Sequence, residues 1–245
     1  MPTLLLRFAG PMQSWGLSSR FTIRDAGREP SKSGVLGLLC AALGKPASES
    51  QGDCFPALAA LAGLRMGVRV DREGAVARDY QTAGGGEWNG RPYGVFKASG
   101  KGGDPLPSTR YYLAGAHFLV GLEGPQELLQ TLDSAIRKPV WQLSLGRKAF
   151  VPSIPVHLPD APPEGPGLRG EPLETALLSV PLGHPLDGVF ALSGSPDRVR
   201  FAIETRDAAE AAEVRSDVPL DFHRRRFGQR RVRIDFRPVE EVARR

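Results

Sequence analysis

Apolar residues along this chain follow two rhythms, and the points where one gives way to the other mark its elements. Thr3–Phe8 is a short apolar run that reads as a buried strand, ended by Gly10-Pro11. A loop, Met12–Gly16, then displays Gln13 and Trp15. Val35, Leu38, Leu39, Ala42 and Leu43 recur at helical spacing, which predicts a helix over 31–43 with Ser31, or alternatively Ser33, as cap and Gly44 with Pro46 as stop. Gly34 and Gly37 each cost that helix about 1 kcal/mol relative to Ala, so close approach to its backbone is expected. Residues 55–64 form a second, Ala-rich helical segment. Arg65–Asp71 alternates with Met66, Val68 and Val70 inward, Gly74 turns the chain, and Ala75–Thr82 is expected to return as the hairpin partner.

From Ala83 to Ser108 the pattern lapses into GGG, NG, SGKGG and DPLP, with Lys97 and Lys101 and few apolar residues. Loops this long are uncommon in compact domains unless functional or disordered, and the strand character on both sides predicts a protruding hairpin tip. Thr109–Leu122 resumes as a bent pair of strands broken near Gly115. Gly124-Pro125 opens a helix striped by Leu128, Leu129, Leu132, Ala135 and Ile136, and Val140–Leu145 is expected as a last strand before Gly146-Arg147-Lys148. Strand, helix, strand, strand, helix, strand is the ferredoxin-like, RNA-recognition-motif order. The fold class is therefore α+β, with one domain over 1–150 carrying the protrusion at 83–108. A Pro- and Gly-rich connection follows and leads into a smaller β-rich region, the two together spanning 151–245. Leu177–Leu182, Arg198–Thr205 and Arg231–Arg237 are its expected strands, the last with Val232, Ile234 and Phe236 inward, and Asp207–Val214 is its one short helix.

Composition sharpens this picture at one end. The net charge is +5, but residues 224–245 hold nine Arg and three acidic residues, a net of +6, so the rest sums to −1. Charge concentrated in this way points to a polyanionic partner. No apolar run is long enough for a membrane span, and Cys40 and Cys54 are expected to be buried, reduced thiols of a cytoplasmic protein. No His/Cys spacing suits a metal, and no cofactor fingerprint appears. His117, beside Tyr111 and Tyr112 in sequence, is the histidine best placed for metal-independent RNA cleavage, but no motif organises the three and no catalytic residue is assigned.

Binding residues are easier to name. Ser31, Lys32 and Ser33 at the start of a helix offer free N–H groups and a positive dipole end for a phosphate, with Arg20 and Arg24 just upstream. Arg147 and Lys148 after Gly146 form a second clamp. In HRRRFGQRRVR, Arg224, Arg225, Arg226, Arg230 and Arg231 are phosphate partners and Phe227 a stacking platform, as Trp15 is for a base.

QSWG, GREPSKSG and LGRK in this order, with RDYQT and RYYLAGAHFLVGL, resemble the CasD family of type I-E CRISPR Cascade subunits within the RAMP superfamily. The resemblance runs from residue 1 to about 155 and resumes in the Arg-rich tail. It implies a non-catalytic subunit that holds and caps the crRNA 5′ handle and contacts the backbone subunit CasC and the large subunit CasA, while a separate subunit, CasE, cuts. It makes Ala83–Ser108 a thumb, with Gln13, Lys97, Lys101 and Arg110 added to the RNA-binding residues. Two other readings stand beside it: a metal-independent endoribonuclease acting on CRISPR repeat RNA, and a non-specific basic RNA or DNA chaperone.

Overall fold

The computed structural model describes residues 1–16, 22–48, 54–94, 104–182 and 197–242. The first half contains β1 (Thr3–Ala9), β2 (Met12–Gln13), β3 (Ile23–Arg24), α1 (Lys32–Leu43), α2 (Leu58–Ala62), β4 (Arg65–Arg72) and β5 (Ala75–Ala83). Then come β6 (Gly86–Trp88), β7 (Arg91–Tyr93), β8 (Leu106–Ala114), β9 (His117–Glu123) and α3 (Gln126–Arg137). The last part holds β10 (Leu168–Arg169), α4 (Leu173–Ser179), β11 (Arg198–Thr205), β12 (Glu213–Asp221) and β13 (Arg226–Pro238).

The molecule is a sheet-dominated α+β fold. Seven antiparallel strands run in the order β10-β1-β9-β4-β11-β13-β12, so β11 joins β4 directly and the sheet continues across the connection at 151–175. Alternation along β1 sends Leu4, Leu6 and Phe8 to a core under α1 and α3, and Leu5 to a second core under α4. In the same way Met66, Val68 and Val70 of β4 enter the first core, while Val199, Phe201 and Ile203 of β11 enter the second. The sheet curls so that β12 packs against both α1 and α2. Helix α1 starts and stops where its spacing predicts: Ser31 accepts from the Gly34 N–H at 3.3 Å, and Gly44 is left-handed at φ 72°.

The second sheet corrects the first hairpin. Strand β4 has both edges filled by β9 and β11, and Gly74 turns the chain at φ +71° against Ala114 and Ala116. Strand β5 therefore leaves the main sheet and pairs with β8 from Ala75↔Ala114 to Ala83↔Leu106. Strand β8 also pairs with β2 and, in parallel, with β3.

Three further expectations fail for local reasons. Val140 and Trp141 form no strand; their N–H groups donate to the Ala42 and Ala41 carbonyls at 2.9 and 3.1 Å, completing the end of α1. Strand β10 lies beside β1. Leu177 belongs to α4, where Leu173, Ala176 and Leu177 share one buried stripe, a helical period that the short window over 177–182 conceals. At 207–209 the Thr205 and Asp207 side chains accept local N–H bonds and turn the chain, which returns as β12. Phe236 is half exposed and Cys54 exposed, against the burial expected of each.

Candidate nucleic-acid interface

The site is built where the second sheet meets the end of β1. Parallel pairing of β3 with β8 makes Arg24 and Arg110 register partners, two guanidinium-bearing residues side by side on neighbouring strands. Like charges so placed repel one another. Across the other edge of β8, Arg110 faces Asp79 of β5, and its Nε donates to Ser108 Oγ at 3.0 Å.

The loop after α3 supplies the third arginine. The Leu145 N–H donates to the Phe150 carbonyl at 2.6 Å and the Phe150 N–H to the Arg147 carbonyl at 2.8 Å, closing a tight turn. That turn is fixed to β2's exit by the Ser14 N–H, which donates to the Leu145 carbonyl at 3.0 Å. Gly146 sits at φ +93°, and any Cβ there would run into the Ser14 carbonyl. The turn aims Arg147 across the site: Nη2 donates to the Tyr111 carbonyl at 3.0 Å and the Arg24 carbonyl at 3.4 Å, and the guanidinium lies 5.5 Å from the Phe150 ring centre.

Together these residues line a cavity of about 280 Å³ with Ser14, Gly16, Arg24, Asp25, Arg110, Gly146 and Arg147 on its walls. Among the described residues, three arginines line or adjoin this cavity against two nearby carboxylates, Asp25 on its wall and Asp79 opposite Arg110. Arg147 Nη1 is buried with no hydrogen-bond partner among the described residues. Burial first, and the positive charges of Arg110 and Arg24 after it, push the Arg147 guanidinium below its ordinary pKa, with Asp79 and Asp25 opposing. A cationic pocket with an unspent donor suits a phosphate, which accepts charge-assisted hydrogen bonds through its non-bridging oxygens and relieves the repulsion. Lys148 is exposed next to it.

Other residues named from sequence are employed inside the fold. Trp15 is 1% exposed and stacks on Phe8 with ring centres 5.4 Å apart, so it is no platform for a base. Its Nε1 donates to Gln13 Oε1, and Gln13 Nε2 donates to the Phe8 and Ala116 carbonyls, which leaves Gln13 buried and without a free donor. The start of α1 does bind an anion, but the anion belongs to the chain itself. The Lys32 N–H donates to Asp217 Oδ2 at 2.8 Å, and the buried Lys32 Nζ holds both Glu204 oxygens at 3.0 and 2.9 Å. Ser31 caps Gly34, and Ser33, half-buried, lies 3.5 Å from it through the two hydroxyls. Arg230 is buried in a two-pronged pair with Asp217 at 2.6 and 2.8 Å. Arg224, Arg225, Arg226, Phe227 and Arg231 are exposed, the first three around the β12–β13 turn. Arg20, Lys97 and Lys101 lie outside the described residues. Sequence reading missed Ser14 and Asp25; only their proximity to Trp15 and Arg24 in the quoted motifs marks them.

Residues 3–233 match the model of a protein family described as CRISPR-associated protein (Cas_Cas5). A curated relative, the CRISPR system Cascade subunit CasD of Escherichia coli (strain K12), is 34% identical over 167 residues, covering 63% of this chain and 69% of the relative. A solved structure titled as the crystal structure of a Cas protein shares 38% identity at a TM-score of 0.69, over 99% of this chain and 98% of that one. A chain of a CRISPR RNA-guided surveillance complex is similar at 33% identity and a TM-score of 0.70, over 98% and 93%.

Proposed function

The chain belongs to the family of CRISPR-associated Cas5 proteins, and from that premise we propose that it is the Cascade subunit that holds and caps the 5′ handle of the crRNA, as a binding protein and not a nuclease. The observation that carries this reading is the pocket in which Arg24, Arg110 and Arg147 converge with one buried guanidinium nitrogen unspent. It would seat a phosphate of the handle, with Lys148 beside it. The similarity to a chain of an RNA-guided surveillance complex supports the same assignment.

The order β1-β9-β4, with α1 and α3 on one face, supports an RNA-recognition-motif-like first domain over 1–150, and 151–245 extends its sheet at both edges, with β10 beside β1 and β11 beside β4. The stretch 83–108, carried at the outer end of the β5–β8 ribbon, is then the thumb, directed at the RNA and the neighbouring CasC, with CasA on another side. A nuclease centre gains no support: His117 is 3% exposed and does not line this pocket.

The test is charge reversal of Arg110→Glu with Arg147→Glu in the assembled complex. Loss of the protected RNA 5′ end while the complex still assembles is the expected result. Normal retention by a folded double variant overturns the assignment.

A further inference from the structure

Strand β11 stops at Thr205, opposite Arg231, while β13 begins five residues earlier at Arg226. Among the described residues, Arg226–Arg230 therefore have β12 on one side and no strand on the other. The vacant place is a cleft of about 510 Å³, of a size that takes small ligands. Ala62, Val214 and Val218 give it apolar walls, and Arg206, Gln229 and Arg231 give it polar ones.

Its charges do not cancel. Lys32 is matched by Glu204 and Arg230 by Asp217. Glu210 is engaged with Thr205 and Arg233, and Glu213 with Arg215. Arg206 and Arg231 remain, both exposed and without a carboxylate partner among the described residues. Alternation along β13 puts Phe227, Gln229 and Arg231 on one face, and Phe227 is 43% exposed. Beyond Phe227 the turn carries Arg224, Arg225 and Arg226.

We infer that this cleft takes one nucleotide of single-stranded RNA, its phosphate on Arg206 and Arg231 and its base against the apolar wall, with the next base stacked on Phe227. Unpaired arginines select a polyanion, and an apolar wall beside a half-exposed aromatic selects unstacked bases over a duplex. The site is separate from the arginine pocket, with which it shares no lining residue. The inference rests on the reading of the chain as an RNA-holding subunit.

The experiment is fluorescence anisotropy of labelled octauridylate with the full chain over a range of salt. Arg206→Gln with Arg231→Gln is expected to weaken binding and to lower the slope of log affinity against log salt by about 0.7, the value for one phosphate contact on a single strand. Arg206→Lys with Arg231→Lys keeps the slope and shows that the fold tolerates change there. Phe227→Leu weakens binding at constant slope. An unchanged slope in the Gln pair, equal loss of octathymidylate binding, or displacement of the RNA by oligoglutamate overturns the inference. Failure confined to these variants, with Arg110→Gln and Arg147→Gln still lowering affinity, removes the cleft and leaves the subunit's RNA-holding role standing. Failure of both sets removes both.

Discussion

The backbone N–H of Lys32 donates to a carboxylate oxygen of Asp217 at 2.8 Å, across 185 residues of sequence. A helix N-terminus with free N–H groups attracts an anion, and here the anion comes from β12. Three residues upstream the same segment repeats the device: buried Glu29 holds Arg200 at 2.8 Å and Arg215 at 2.5 Å. GREPSKSG is thus the staple by which the N-terminal half grips β11 and β12.

Breaking that staple on one side is expected to cost more than any surface change. Asp217 is 2% exposed, and its removal leaves Arg230 only a longer contact to Glu204 at 3.8 Å and leaves an α1 N–H unpaired in the interior. Asp217→Ala should lower the unfolding free energy by about 3–5 kcal/mol, the usual cost of orphaning a buried charge. Urea unfolding measures it, and a loss below about 1 kcal/mol, the range of an exposed pair, would show the network to be solvated.

The same carboxylates set an acid limit. Burial alone would raise the Glu29 and Asp217 carboxyls, but Arg215 and Arg200 hold Glu29 below 4.5, and Arg230 with the Lys32 N–H holds Asp217 below 3.8. Folded values below the unfolded ones mean stability that is complete above about pH 4.5 and is lost as pH falls through the lower folded values. Melting temperature should drop steeply in that window, and Glu29→Gln should flatten the drop while lowering the plateau at neutral pH. A parallel decline in both proteins would show that Glu29 does not contribute.

How much of this was legible in sequence depends on how local each cause is. Helix α1 was readable because its cap, its stripe and its stop all lie within fourteen residues, Ser31 to Gly44. The partner of β5 was not, because both edges of β4 are filled by distant strands and no local pattern records that. For the site, Arg24, Arg110 and Arg147 were each named, yet their convergence depends on a parallel β3–β8 pairing and a Gly146 turn that spacing does not reveal. Lys32 and Arg230 looked equally cationic, and their carboxylates lie 172 and 13 residues away. Charge counted along the chain overstates charge offered to a ligand.

The two odd glycines of α1 separate cleanly. A Cβ on Gly34 would lie 2.8 Å from Trp15 Cε3, whereas one on Gly37 meets nothing within 4 Å. Gly37→Ala should therefore stabilise the protein by up to about 1 kcal/mol through helix propensity. Gly34→Ala should destabilise it and disturb the near-ultraviolet signal of Trp15. Equal stabilisation by both would mean that Trp15 yields without cost.

The β5–β8 ribbon supplies the last prediction. Along β5 every residue is exposed or half-buried, with Val76 at 63% and Tyr80 at 70%, so burial does not hold this strand. Its support is the ladder to β8, and β8 is secured only near its far end, where Thr109 and Arg110 pair with β3 and Leu113 and Ala114 with β2. Outward of Ser108 the ribbon is, among the described residues, two strands alone, an arrangement that is marginal in water. Amide exchange should therefore show protection that is strong from Thr109 to Ala114 and weak from Leu106 to Ser108. Replacing 85–105 with a short Gly-Ser linker removes a stretch of which no described residue belongs to either core, so the melting temperature of the isolated chain should move by no more than about 2 °C, the shift that under 1 kcal/mol produces at this size. Incorporation into the complex, or the path of the RNA past the subunit, should suffer instead, because the ribbon runs outward from Arg110, which lines that pocket. Wild-type assembly together with an unchanged nuclease footprint on the RNA would show the ribbon to be dispensable, and a fall of ten degrees in the isolated chain would show that it stabilises the fold.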